Sequence, residues 1–110
     1  MSTPAENLTL DALAAPLRVL RLLACDFGHL PVPDIDLNRI FPERLTLRFH
    51  EGLHAFEAWR AALAVPPEHV THRVQGNGMT RVLTASTDYA GTDVHLYGYS
   101  DVPAADGGAA

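Results

Sequence analysis

The sequence predicts an α+β domain of two layers, an antiparallel sheet of about five strands with two helices on one face, in the order αββαβββ. Three observations predict it. Apolar residues recur at helical spacing in residues 13–27 and 53–65, apolar and polar residues alternate through most of the rest, and turn residues separate the alternating runs. Each amphipathic helix must bury its stripe, and one shared sheet face buries both.

In chain order, Leu13, Leu17, Leu20, Ala24 and Phe27 follow at steps of four, three, four and three, the spacing of one helix face. Pro16 interrupts that run, so a short turn is expected at residues 8–15 and a main helix opening near Pro16, with proline in the tolerated first turn. Gly28 offers a stop, and Leu30-Pro31-Val32-Pro33 must run extended because each proline excludes its predecessor from the helical region. Residues 34–50 read as two strands: Ile35 and Leu37, then Leu45, Leu47 and Phe49, alternate with Asp36, Asn38, Thr46, Arg48 and His50. A helix from Pro42 would also gather Leu45, Phe49, Leu53 and Phe56 on one side, but it would hold Gly52 in its middle at about 1 kcal/mol relative to alanine. From Leu53 to Val65 Phe56, Trp59 and Leu63 form a stripe flanked by the Glu57/Arg60 pair, and Pro66-Pro67 ends it. Three strands follow, His69 to Gln75, Met79 to Thr87 and Thr92 to Ser100, joined by turns at Gly76-Asn77-Gly78 and Ala90-Gly91. Residues 8–102 thus form the expected single domain. Residues 1–7 and 103–110 are small and polar and are expected to be disordered.

Composition limits what such a domain does. The chain has 110 residues, 47% hydrophobic and 19% charged, which is ordinary for one globular domain and too short for a two-domain enzyme. Thirteen acidic residues against eight basic ones give a net charge of −5, and the basic residues are dispersed arginines. Nucleic acid is therefore disfavoured as a partner, since its binders concentrate cations on one surface. No apolar stretch is long enough for a membrane helix, and Met1 to Glu6 do not read as a secretion signal. A cytoplasmic protein is expected. The single Cys25 agrees with that and is expected to be a small apolar residue of the helix core.

One string carries a chemical motif. His50-Glu51-Gly52-Leu53-His54 satisfies H-E-x-x-H, in which two imidazoles one helical turn apart bind zinc and the glutamate polarises a metal-bound water. Chance alone gives it in about one such chain in 70. It functions only as a helix, whereas the strand reading puts His50 at a strand end and Gly52 in a turn. Zinc, held by His50 and His54 with Glu51 as general base, is thus the alternative. The leading expectation is no metal, no cofactor and no catalytic set. His69 and His72, at i, i+3 on a strand, point to opposite faces and are poor co-ligands. Gly76-Asn77-Gly78 has no following helix and lacks the Lys-Ser/Thr of a phosphate loop.

His95, Tyr97 and Tyr99 alternate with apolar residues along the last strand and so share one face. Aromatic residues with polar tips are enriched at interfaces, and the three are the candidate interaction surface of a small non-catalytic interaction or regulatory module. Its expected partner is another protein or a second copy of the chain. An open edge on strand Thr92 to Ser100 is the expected place of pairing.

Two resemblances add to this. Leu13 to Leu23 resembles the first helix of winged-helix repressors of the arsenic-repressor type, with the hairpin Val70 to Leu83 as the wing, which implies DNA binding as an alternative function. The likeness covers about a tenth of the chain, and residues 31–50 hold prolines where the second and third helices would stand. More broadly, Leu30-Pro31-Val32-Pro33, Leu45-Thr46-Leu47 and the segment Phe56 to Leu63 make the chain similar to small uncharacterised proteins of high-GC actinobacteria. That similarity implies no activity.

Overall fold

The computed structural model describes residues 8–76 and 78–101. The two terminal stretches expected to be disordered, and Asn77 of the expected hairpin turn, lie outside them.

The alternating runs form five strands among these residues: β1 (Asp34–Asp36), β2 (Arg44–Phe49), β3 (Thr71–Val74), β4 (Thr80–Tyr89) and β5 (Thr92–Asp101). β3, β4 and β5 make an antiparallel meander. Its second turn holds Ala90 and Gly91 at φ 51° and 85°, the left-handed pair that lets a two-residue hairpin follow strand twist. The sheet order is β1-β2-β5-β4-β3.

That order corrects the expectation of a wholly antiparallel sheet, because β2 and β5 pair in parallel. The reason is directional. A helix between β2 and β3 returns the chain so that β3 starts in the direction of β2, β4 reverses it, and β5 recovers it. Once β5 docks against β2, the pair can only be parallel. The fold is therefore a two-layer α+β domain with a mixed sheet. It also corrects the expected open edge: β5 lies at the centre, and β1 and β3 are the edges.

Residues 44–49 are strand, not helix, and Gly52 at φ 102° makes the corner into α2 (Leu53–Ala62). Any side chain would be strained there. α1 (Ala14–Asp26) follows a 3-10 turn at Leu10–Leu13 and takes Pro16 into its first turn, where the missing N–H is not needed. Its fully buried face is Pro16, Val19 and Leu23, rotated from the expected stripe, of which Leu20 and Phe27 pack at the core margin while Leu17 is 39% exposed and Ala24 also faces outward. Both sets have helical spacing, and Pro16 stands in the first turn as its place in the sequence predicts. Cys25, expected in the core, is exposed and free.

Both helices cover the same sheet face. Val19 and Leu23 of α1 and Phe56 and Trp59 of α2 form one cluster with Leu45, Leu47 and Phe49 of β2 and Val94 and Leu96 of β5. Phe49 meets Phe56 edge-on with ring centres 6.5 Å apart. Gly98 leaves room for α2: a Cβ there would lie 2.9 Å from Phe56. Arg60 closes the C-terminal end of α2, pairing with Glu57 and donating from Nη1 to the carbonyl of Val65 at 2.5 Å. The pairing carries the Glu57 carboxyl below its ordinary pKa, through the hydrogen bond from Arg60.

Trp59 fixes the proline segment to α2, its Nε1 donating to the carbonyl of Pro31 at 2.7 Å. Trp59→Phe keeps the ring in the core and leaves that carbonyl without its donor, so a loss of about 1–2 kcal/mol is expected in urea melts followed by circular dichroism. A variant as stable as wild type would mean that the bond does not hold the segment.

Candidate functional site

Strand alternation decides what the other sheet face carries. With Leu45, Leu47 and Phe49 of β2 and Val94, Leu96 and Gly98 of β5 turned to the helices, Thr46, Arg48, Asp93, His95, Tyr97 and Tyr99 turn away from them. Among the described residues, neither helix packs on that second face, and in that sense it is uncovered. Register sets its residues in rows. One runs Asp36, Thr46, His95, Ser86; the next runs Asp34, Arg48, Tyr97, Thr84, Thr71; a third joins Tyr99, Val82 and Arg73. His95, Tyr97 and Tyr99 thus stand together, each half-buried, on the central strand of the uncovered face.

Contacts tie this face together. The ring of His50 stacks on Tyr99, centres 4.7 Å apart and planes 2° from parallel, while its Nε2 lies 3.5 Å from Asp34. Arg48 pairs with Asp36 at 3.4 Å and sits 5.5 Å over the ring of Tyr97. Partial burial would lower the Arg48 pKa, but hydrogen bonding with Tyr99 and Asp36 outweighs it and the guanidinium is held above its ordinary value. His95 Nε2 lies 3.0 Å from Asp93, and the hydroxyls of Thr71 and Thr84 are hydrogen-bonded across β3 and β4. Under these groups Val82 is 0% exposed and Thr46 5%. The face therefore has a packed floor beneath a polar and aromatic layer, and these contacts hold the tyrosines in place.

Shallow cavities open on it among the described residues, two of them around its histidines and tyrosines. One of about 380 Å³ is lined by His69, Thr71, Arg73, Thr84, Ser86, His95 and Tyr97. The other, about 330 Å³, lies at the β2–α2 corner between His50, Glu51, Gly52, Thr80 and Tyr99.

The H-E-x-x-H residues are divided between elements. His50 and Glu51 precede Gly52, the residue before α2, and His54 is the second residue of that helix. The one-turn helical spacing of two imidazoles that the zinc motif requires is absent, and among the described residues no three His, Cys, Asp or Glu side chains gather as a metal site. His69 lies in a 3-10 turn (Pro67–His69) rather than on a strand, and His72 is on β3; both are exposed. The hairpin likened to a wing is β3–β4 of the five-stranded sheet, and residues 34–36 and 44–49 are strands where a winged helix would need helices.

Asp34, Asp36, Arg48 and Arg73 belong to this face and were not singled out by sequence reasoning. Their alternation was visible, but only the pairing of β1, β2, β5, β4 and β3 brings them beside His95, Tyr97 and Tyr99. Against known proteins, the chain matches no family model, no curated protein and no solved structure.

Proposed function

We propose that this chain is a small, non-catalytic, cytoplasmic module that acts by binding protein through the uncovered sheet face. One observation carries the reading: His95, Tyr97 and Tyr99 lie at the centre of a broad face that neither helix covers, on a closely packed floor. Tyrosine and arginine are the residues enriched in interface cores, and a centrally placed aromatic anchor within a polar surround is the usual distribution of binding energy. Two of the three arginines on this face among the described residues favour protein over nucleic acid, because Arg44 and Arg48 already face Asp93 and Asp36, which leaves only Arg73 for a phosphate. A reducing cytoplasm suits the exposed, free Cys25.

The double variant Tyr97→Ser/Tyr99→Ser tests the reading. It is expected to remain folded by circular dichroism and to lose at least about tenfold in affinity for whatever binds wild type, whether a second copy in sedimentation or a host protein captured by immobilised chain. Arg18→Ala, on α1 and away from this face, should bind as wild type does. Equal binding by wild type and the double variant would overturn the reading, and so would a wild-type chain that neither self-associates at hundreds of micromolar nor captures anything.

A further inference from the structure

Two charge distributions on the uncovered face are opposite and sit at opposite edges. β1 carries Asp36, already paired with Arg48, and Asp34, whose side chain is 77% exposed although His50 approaches it and which is the free acid of that edge. β3 carries Arg73, exposed and with no carboxylate partner among the described residues. Between them lies β5 with its tyrosines. Resting on the interaction face proposed above, we propose that its occupant is a second copy of this chain, related by a two-fold axis running along β5 between the two faces.

Symmetry selects the axis. A two-fold along the strands exchanges left and right, so the acidic edge of each copy covers the basic edge of the other, and both contacts form at once. A two-fold across the strands would set β1 on β1 and oppose Asp34 and Asp36 to their own equivalents, which like-charge repulsion disfavours. Along the favoured axis Tyr97 and Tyr99 pack against the same strand of the partner. Asp34 shares a row with Thr71, and Arg73 stands one row further, about 7 Å along the strand, a distance an arginine side chain spans. Five strands at about 4.8 Å spacing cover on the order of 600 Å² per copy, or about 1,200 Å² for the pair, the low end of specific interfaces. That area fits a reversible dimer rather than an obligate one.

Charge reversal tests the geometry with the full chain. Asp34→Arg alone places Arg against Arg at both contacts, and Arg73→Asp alone places Asp against Asp at both. Each variant is expected to weaken self-association in sedimentation equilibrium by at least about tenfold. Mixing the two restores an opposite pair at both contacts of a heterodimer, so the mixture should associate to within about threefold of wild type. A monomeric wild type, or a mixture no tighter than its components, overturns the proposal. In the first case, a host protein lost on Tyr97→Ser/Tyr99→Ser would leave the interaction reading standing without the dimer.

Discussion

Truncating Phe56 to alanine is expected to remove about 3–5 kcal/mol of stability, the range for a fully buried aromatic in a close-packed core. Phe56 is 1% exposed, meets Phe49 edge-on and lies against the backbone of β5 at Gly98. It is the side chain through which α2 touches both parallel strands, so no neighbour can collapse into its space without moving a helix or the sheet centre. A domain of this size has roughly 5–15 kcal/mol in total, and the loss would lower its thermal midpoint by roughly 15 °C. Urea unfolding at matched protein concentration measures it, since association would otherwise contribute to the apparent stability. A loss under about 1 kcal/mol would mean that α2 is not held by this ring.

Gly98→Val is the second large effect, and two opposing terms decide its sign. Glycine inside a strand is costly, and replacing it ordinarily recovers about 0.5–1 kcal/mol. Here the new Cβ would meet Phe56 Cβ and Cγ at 2.9 Å, atoms near the root of that side chain that cannot swing aside. Overpacking of this kind costs about 1–3 kcal/mol and more for the further methyls, so the net expectation is a loss of about 2–3 kcal/mol. Combining the two substitutions separates packing from propensity. The valine fills part of the space left by Phe56→Ala, so the double variant should be less damaged than the sum by about 1 kcal/mol or more. Strict additivity would sink the account of Gly98 as the seat of α2.

Much of the fold was legible where information is local. Alternation located β2, β4 and β5 to within about two residues, Ala90-Gly91 marked its hairpin, and Phe56 and Trp59 announced the buried side of α2. The strand at 44–49 followed from the cost of Gly52 inside a helix, and the structure puts that glycine at a positive φ in the corner before α2. α1 shows where periodicity fails. Leu17 and Ala24 stand at helical spacing just as Val19 and Leu23 do, yet they face outward while Leu20 and Phe27 of the same expected stripe pack at the core margin, because only the sheet below selects the buried side. Cys25 followed Leu17 to the surface for the same reason. Sheet order is not local at all, so β5 was expected at an edge and stands in the centre. His95, Tyr97 and Tyr99 were readable as one face of one strand. Their neighbours Arg48, Asp34 and Arg73 come from residues far away in the chain and were not.

The parallel pairing of β2 with β5 also sets when the domain is completed as it folds. Arg44 pairs with Asp93 and Phe49 with Gly98, contacts about fifty residues apart, whereas β4 and β5 meet through a two-residue turn. Closing the long loop has an entropic cost that the hairpin avoids, so β4–β5 should form early and β2 should dock late, with α2 carried alongside. Until that step Tyr97 and Tyr99 have Thr84 and Val82 on one flank and nothing on the other. The surface proposed to recognise a partner should thus be completed late, and a chain with β2 undocked would expose a bare β5 edge open to aggregation.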